Sequence, residues 1–269
     1  MDGSTVPNDL LITGLPRAGT TLVTAMVDAL VQSVALSEPD SVVEVARATD
    51  DAECFARGVL DFHLGTRSEL LDGDSVLDIR DPEGALVTDF IRHEAAATRV
   101  EKPVHAIDRP ELEAGFLLAS KHNALYTAVL EPLIALGFRL LAIVREPVEL
   151  LRSWAEVPFP IARGRLPGAE RYWPAVAEVA ASRDGVQVRQ AKILEAFVRR
   201  YRQLQRHVSL IRYESLAADP GLVGVMLGRE ARYEVPVRPR QKTPLPDRQR
   251  RELEALVRDL APTAWEMYH

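Results

Sequence analysis

The chain has 269 residues, 47% of them apolar, which is enough to bury a core of ordinary size in one domain spanning residues 1–269. Its formal net charge of -6 argues against general binding to nucleic acid, and no apolar run approaches the roughly 20 residues of a membrane span. The single cysteine, Cys54, excludes an intramolecular disulfide, and we expect it to be a small buried residue. With no signal-peptide pattern at the N-terminus, these features predict a cytoplasmic protein.

Short apolar runs alternate with helical patterns along the chain. The runs predict buried parallel strands at residues 10–13, 116–119, 139–144 and 208–213. Helical periodicity predicts helices at residues 20–33, 52–60, 83–98, 124–136, 148–156, 186–206 and 247–260. Such alternation is typical of an α/β fold in three layers, α/β/α, with a central parallel sheet that binds ligands at the carboxyl ends of its strands.

Two proline-rich stretches interrupt this alternation. Residues 156–174 hold four prolines and two glycines, and are predicted to form an irregular excursion or lid. Residues 235–246 are predicted to form a basic loop near the C-terminus. Residues 40–113 carry no functional motif, and we expect them to build an acceptor pocket together with the excursion.

The stretch "GLPRAGTT" follows the first predicted strand and opens the first predicted helix. Gly14 and Gly19 let the backbone turn its N–H groups inward, and the helix N-terminus adds partial positive charge, so the loop is suited to bind an anion. In a Walker A loop, position 20 is the lysine that reaches the β- and γ-phosphates, but here it is Thr20, followed by Thr21. The positive side chain is Arg17, inside the loop. This layout favours a donor with one 5′-phosphate and no metal-bridged polyphosphate; a strand-to-helix turn without a ligand is the alternative.

The same stretch resembles the 5′-phosphosulfate loop of sulfotransferases that use 3′-phosphoadenosine 5′-phosphosulfate (PAPS), in which Pro-Lys/Arg-Ser-Gly-Thr-Thr is the family pattern. Ala18 stands where serine is usual, which removes a hydroxyl and leaves the backbone N–H in place. The resemblance implies a P-loop NTPase-like sulfotransferase fold and nucleotide binding by the loop. The loop residues concerned are Pro16, Arg17, Ala18, Gly19, Thr20 and Thr21.

A second stretch, "RLLAIVREPVELLRSW", resembles the 3′-phosphate motif of the same family. Arg145 ends a predicted strand, Pro147 opens a helix, and Ser153 follows eight positions after the arginine. An arginine fork binds phosphate through two hydrogen bonds, and a serine hydroxyl can complete the site. The alternative is a structural arginine that pairs with Glu146 or Glu149.

Two further nucleotide contacts are implied by the resemblance. Tyr213, in "LIRYESLAADP", corresponds to a family tyrosine that lies against the adenine, although a packing tyrosine at a strand end is an equally good interpretation. In many family members a basic loop near the C-terminus covers the 3′-phosphate. Here Lys242 is the candidate, with Arg238 and Arg240 beside it.

The resemblance also implies three catalytic roles. Arg17 would stabilise the leaving 5′-phosphate and the sulfuryl oxygens, and Lys121 lies where the family places a lysine near the bridging oxygen. Glu38, in "VALSEPD", resembles the glutamate base of the branch that includes the tyrosylprotein enzymes. A glutamate in this role works best when burial or a neighbouring anion raises its pKa toward the working pH.

Histidines are the competing candidates for the base. His122 is beside Lys121, but the cytosolic branch carries its histidine two residues after the lysine, and that position is Asn123 here. His105 is near Asp108 and is compatible with a structural role, and His63 has no functional context.

Taken together, the sequence predicts transfer of a sulfuryl group from PAPS to a hydroxyl, or less favourably an amine, of a small-molecule, natural-product or glycan acceptor. Adenosine 3′,5′-bisphosphate would be the product. No metal is expected, because no Walker B context or ligand cluster is evident, and neither nucleic acid nor a membrane is expected as a partner. The alternatives are an ATP-dependent small-molecule kinase and a nucleotide-binding module without catalysis.

Overall fold

The computed structural model describes residues 9–88, 91–93, 98–100, 103–237 and 243–269. The strands are β1 (Leu10–Gly14), β2 (Ser33–Ser37), β3 (Leu77–Ile79), β4 (Ile91–His93), β5 (Thr98–Val100), β6 (Val104–Ala106), β7 (Leu117–Lys121), β8 (Arg139–Val144) and β9 (Val208–Arg212). The first helices are α1 (Thr20–Asp28), α2 (Asp40–Ala48), α3 (Ala52–Asp72), α4 (Asn123–Ala128), α5 (Leu130–Ala135) and α6 (Pro147–Ala155). The later ones are α7 (Pro167–Tyr172), α8 (Pro174–Ala181), α9 (Val186–Gln203), α10 (Tyr213–Ala218), α11 (Leu222–Leu227), α12 (Asp247–Leu260) and α13 (Pro262–Tyr268).

Five strands form a parallel sheet in the order β2-β7-β1-β8-β9. The connection from β1 to β2 runs toward one edge, whereas those from β7 to β8 and from β8 to β9 run toward the other. Because parallel connections are right-handed, α1 lies on one face, and α4 to α9 lie on the opposite face. This is a three-layer α/β/α arrangement, and the predicted fold class is confirmed.

The core fills both sides of the sheet. All residues of β1, β2 and β7 are buried, as expected for strands covered on both faces. On the face opposite α1, α9 packs against α6, α8, α12 and α13, with Phe197 and Tyr201 fully buried. Among the described residues, no helix combines the length and the apolar character needed to cross a bilayer.

The first predicted helix, at residues 20–33, is too long. The helix ends at Asp28, and Ser33 begins β2, an edge strand that sequence patterning missed. The run "SVALS" is short and mixes serine with apolar residues, and the turn that precedes it, at Val31 and Gln32, contains no glycine, proline, asparagine or aspartate to mark it in the sequence.

The predicted helix at residues 83–98 is wrong. The segment contains a turn at Gly84, which has a φ of 85°, and two antiparallel strands, β4 and β5, with residues 89–90 and 94–97 outside the described part. Gly84 adopts the left-handed conformation, which is incompatible with the interior of a helix. Cys54 is exposed rather than buried, because it lies in the first turn of α3 beside the N-cap residue Asp51.

The proline-rich excursion is more regular than predicted. It contains a short 3₁₀ helix, Pro160–Arg163, and α7, and it ends where Pro174 opens α8. Each of these helices has proline in its first turn, where the missing N–H costs no hydrogen bond. Three of the four prolines of this stretch therefore mark helix starts, and α7 packs on α4.

Candidate active site

The predicted site residues follow the carboxyl ends of the five parallel strands. Glu38 comes directly after β2, Lys121 ends β7, and the glycine loop follows β1. Arg145 comes directly after β8, and Tyr213 directly after β9. Because parallel strands end at the same edge of a sheet, residues far apart in sequence share one edge of the molecule.

The glycine loop has an unusual backbone. Gly14, Arg17 and Gly19 have positive φ values of 150°, 68° and 101°. A Cβ on Gly14 would lie 2.5 Å from the carbonyl oxygen of Ile143, so only glycine fits where the loop leaves β1 beside β8. Arg17 has a left-handed backbone although it is not glycine. Such residues are uncommon and cluster in functional loops.

The N-terminus of α1 is open to an anion. Its N-cap residue, Gly19, has no side chain to bond the first-turn amides, and the first turn holds no acidic residue. Uncapped amides with the helix dipole behind them attract negative charge. Thr20 is buried and Thr21 is half-buried, so these paired hydroxyls lie at the same helix start.

Arg145 and Tyr213 pack against this loop. The Arg145 Nη1 donates to the carbonyl oxygen of Arg17 at 3.2 Å, and its guanidinium lies 4.6 Å from the centre of the Tyr213 ring. A Cβ on Gly19 would come within 2.6 Å of the Tyr213 ring, so the ring lies directly on the glycine. The structure therefore joins the two nucleotide motifs and Tyr213 in one cluster.

The two glutamates that could pair with Arg145, Glu146 and Glu149, contact other groups. Glu146 accepts from the amides of Val148 and Glu149, which caps the N-terminus of α6. Glu149 pairs with Arg152 and Arg250.

Helix α6 contributes a contact that sequence reasoning missed. The Trp154 indole N–H donates to the carbonyl oxygen of Pro16 at 2.6 Å, and Trp154 is fully buried. Its neighbour Ser153 is also buried, at 4% exposure. A tryptophan directly after the predicted phosphate serine was the available signal. The role of the Ser153 hydroxyl stays a prediction.

Glu38 and Lys121 form an ion pair at the ends of β2 and β7. The Lys121 Nζ lies 2.8 Å from Glu38 Oε1, and the Glu38 amide donates to the Lys121 carbonyl oxygen at 2.9 Å. The lysine is 1% exposed, whereas the glutamate side chain is 30% exposed. Glu38 also has a left-handed backbone, with a φ of 56°. The pair therefore places a positive charge beside a carboxylate that is partly accessible to solvent, and a carboxylate can accept a proton.

His122 is built into the start of α4. Its Nδ1 accepts from the Leu125 amide at 3.3 Å, and its backbone amide donates to the Ile12 carbonyl oxygen. The imidazole thus caps a helix, a structural role that stands beside the predicted catalytic one. His105 lies on β6, directly opposite Asp78 of β3.

His63, which has no functional context in the sequence, lies in a buried hydrogen-bonded chain. Its Nδ1 is 2.9 Å from Asp9, its Nε2 is 2.7 Å from the Ser120 hydroxyl, and Ser120 is 2.7 Å from the Tyr126 hydroxyl. All four residues are at most 1% exposed. A substrate cannot reach this chain, so it stabilises the fold below the site.

One part of the predicted site, the basic loop near the C-terminus, is without structural description. Lys242 lies outside the described residues, together with Arg238 and Arg240.

Within the described ranges, no group of three or more His, Cys, Asp or Glu side chains is arranged to hold a metal ion.

No protein-family model matches the chain, and no curated protein matches it in sequence. In structure the chain is similar to the crystal structure of a sulfotransferase from Alicyclobacillus acidocaldarius, with a TM-score of 0.47 and 15% sequence identity. The similarity covers 98% of this chain and 96% of that chain. An identity this low does not carry an activity from one chain to another.

Proposed function

We propose that the protein transfers the sulfuryl group of PAPS to a hydroxyl group of a small-molecule, natural-product or glycan acceptor. The observation that carries the proposal is a combination of two groups at one sheet edge. The first is the glycine loop after β1 with Arg17 and Arg145, and the second is the carboxylate–ammonium pair of Glu38 and Lys121 at the ends of the neighbouring strands β2 and β7. The first group is suited to bind an anionic nucleotide. The second can accept a proton and supply positive charge.

The loop fits a single phosphate better than a polyphosphate. Its amides and the Thr20 and Thr21 hydroxyls would hold the 5′-phosphate end of the donor, and Arg17 supplies the one positive side chain of the stretch "GLPRAGTT". Thr20 stands where a Walker loop carries the lysine for the β- and γ-phosphates. Arg145, Ser153 and Lys242 would hold the 3′-phosphate.

Tyr213 is proposed to contact the adenine through the part of its ring that Gly19 leaves uncovered. Its ring is already held between Arg145 and the glycine loop, which keeps the aromatic face in a fixed orientation. Rigid aromatic surfaces bind bases at little entropic cost.

In the proposed reaction, Glu38 accepts the proton of the acceptor hydroxyl while the acceptor oxygen bonds to sulfur. The bond between sulfur and the 5′-phosphate oxygen breaks, and the products are a sulfate ester and adenosine 3′,5′-bisphosphate. Arg17 and Lys121 offset the negative charge on the sulfuryl and phosphate oxygens. As in phosphoryl transfer, the rate comes mainly from positioning and electrostatics.

A ligand comparison tests the donor. Adenosine 3′,5′-bisphosphate in the presence of EDTA should raise the unfolding temperature, because a ligand at 100 times its Kd stabilises by about 2.7 kcal/mol. A shift with Mg-ATP and none with the bisphosphate would instead support a small-molecule kinase and overturn the proposal.

A turnover assay then tests catalysis. PAPS is incubated with a panel of phenols, sugars and amines, and release of adenosine 3′,5′-bisphosphate is followed by chromatography. We expect acceptor-dependent release that EDTA does not abolish. Binding of the bisphosphate without release from PAPS for any acceptor would identify a nucleotide-binding module and contradict the proposed activity.

A further inference from the structure

The outer edge of β2 is covered by side chains where another strand would otherwise pair. The Ala35 amide donates to Asp28 Oδ1 at 2.9 Å, and the Ala35 carbonyl oxygen accepts from Arg80 Nη2 at 3.1 Å. Two residues further along, the Ser37 amide donates to Asp78 Oδ1 at 3.1 Å. These contacts satisfy backbone groups that an edge strand leaves unpaired.

The three covering residues form a buried ionic cluster. Arg80 donates to both oxygens of Asp28, at 2.8 and 2.9 Å, and its Nη2 lies 3.8 Å from Asp78 Oδ2. Their side chains are at most 2% exposed. Arg80 also donates to the Gly84 carbonyl oxygen at 2.8 Å, which ties the cluster to the turn after β3. Buried charges are expensive to desolvate, so a cluster of this kind is more readily explained by positioning than by stability.

The end of β2 needs such support because Glu38 is strained. A left-handed glutamate costs on the order of 1–3 kcal/mol and persists only where the surroundings hold it. On the inner side, the Glu38 amide donates to the Lys121 carbonyl oxygen. On the outer side, the amide of the preceding residue, Ser37, donates to Asp78 Oδ1. The conformation of Glu38 is thus fixed from both edges of its strand.

We propose that Asp78 is a positioning residue that holds the Ser37–Glu38 backbone so that the Glu38 carboxylate meets Lys121 and the acceptor. The inference rests on the proposed function for the role of Glu38. It assigns a task to part of the segment 40–113, for which the sequence shows no motif. Asp78 acts through the backbone of Ser37 and not by contact with substrate.

Two substitutions of Asp78 separate positioning from general stability. Asp78→Ala removes the acceptor for the Ser37 amide, and we expect kcat with PAPS to fall about 10- to 100-fold, since a misplacement of about 1 Å costs rates of that order. The Kd of adenosine 3′,5′-bisphosphate should stay within about twofold, because the donor loop is on other strands. Asp78→Asn keeps an oxygen for the amide and should recover most of kcat.

The matched control is Asp28→Asn, which weakens the same cluster. Asp28 accepts from the Ala35 amide and has no contact with the Ser37 amide in the hydrogen bonds described above. We expect it to lower stability at least as much as Asp78→Ala, because Asp28 makes two hydrogen bonds to Arg80, and to lower kcat much less. A loss of kcat in proportion to the loss of stability in both variants would overturn the inference.

A double-mutant cycle with Glu38→Gln gives the decisive result. If Asp78 acts through Glu38, Asp78→Ala should cause no further loss of kcat once Glu38 is replaced. The same loss in both backgrounds would show that Asp78 does not act through Glu38.

Hydrogen exchange keeps this inference distinct from the proposed function. In Asp78→Ala, the Ser37 amide loses its acceptor and the following Glu38 backbone loses its support on the outer side, so both amides should exchange at least about tenfold faster than in Asp28→Asn. If the wild-type protein releases no bisphosphate from PAPS, the proposed function fails. Unchanged exchange at these two amides in Asp78→Ala would overturn the positioning role, whether or not the protein turns over PAPS.

Discussion

The two halves of the site are held by different means. On the side proposed to bind the donor, around β1, β8 and β9, the loop is fixed by close packing: Gly14 against Ile143, Gly19 against Tyr213, and Trp154 on the Pro16 carbonyl. On the side proposed to bind the acceptor, around β2 and β7, charged groups hold the end of β2. The Lys121 ammonium pairs with the Glu38 side chain, and the Asp28–Arg80–Asp78 cluster bonds to the outer backbone edge of the strand.

This difference predicts how each half fails. A closely packed loop is destabilised by added side-chain volume more than by loss of a charge. A buried ion pair is destabilising when one of its partners is removed. Substitutions on the donor side should therefore change nucleotide binding, and substitutions on the acceptor side should change turnover.

The largest effect is expected at Glu38. Glu38→Gln should lower kcat by about 10²- to 10⁴-fold, because a positioned base is lost, and should leave the Kd of adenosine 3′,5′-bisphosphate unchanged. The control is Glu44→Gln, an exposed glutamate on the adjacent helix α2, which should behave as wild type. Steady-state release of bisphosphate from PAPS measures both. Intact turnover in Glu38→Gln with none in His122→Ala would move the base to the histidine.

A smaller effect, on binding, is expected at Arg145. Arg145→Ala should raise the Kd of adenosine 3′,5′-bisphosphate about 10- to 100-fold, as hydrogen bonds to a charged group are worth about 1.5–3 kcal/mol. Arg139, which is exposed at the opposite end of the same strand, is the matched control, and Arg139→Ala should not change the Kd. Isothermal titration calorimetry measures both constants. Equal affinities for the two variants would place the 3′-phosphate elsewhere.

Gly19→Ala tests close packing in the donor half through stability alone. The new Cβ would lie 2.6 Å from the Tyr213 ring at a φ of 101°, so both crowding and backbone strain oppose it. We expect the free energy of unfolding in urea to fall by about 2–4 kcal/mol. Gly137→Ala isolates the strain, since Gly137 has a φ of 87° and open space around it, and should cost only about 1–2 kcal/mol. Adding Tyr213→Ala should bring the cost of Gly19→Ala down to that of Gly137→Ala; an undiminished cost would show that the ring is not the obstacle.

The smallest effect is a pH dependence of stability from Asp78. Burial raises the pKa of Asp78 above its ordinary value, against the lowering effects of Arg80 and the Ser37 amide, and the nearby Asp28 raises it further. The folded protein then binds more protons than the unfolded chain just above the ordinary Asp pKa of about 3.9, so this group's contribution to stability falls as the pH rises through that window. Urea unfolding of wild type and Asp78→Asn across the window should show a slope difference of this sign, and parallel curves would contradict it.

The donor half was largely readable from sequence because its determinants are contiguous. A strand, a glycine loop and a helix start follow one another in "ITGLPRAGTTL", and Arg145 lies at a strand end that its apolar run predicts. The backbone conformation of such a segment requires particular residue types at particular positions, so those residue types predict the structure. Trp154 was missed because its contact with Pro16 spans two motifs.

The acceptor half depends on contacts that no local pattern encodes. Glu38 could be proposed from its resemblance to the glutamate base of one sulfotransferase branch, but the first residue of β2 was included in a predicted helix and the rest of the strand was not predicted. Asp78 and Arg80 lie in a segment where the helical periodicity of the following residues gave a wrong prediction. Their partners on α1 and β2 are more than forty residues earlier, and only the fold brings the charges together.

The hydrogen bond from the Trp154 indole to the Pro16 carbonyl oxygen makes Trp154 an intrinsic fluorescent probe of the glycine loop. The fluorescence of an indole depends on what its N–H donates to, and this one donates to a carbonyl inside the loop proposed to receive the nucleotide. Of the three tryptophans, Trp173 and Trp265 pack around α9 and α12, away from the loop. Rearrangement of the loop should therefore change the emission of one tryptophan selectively, which gives a direct view of the donor site without any label.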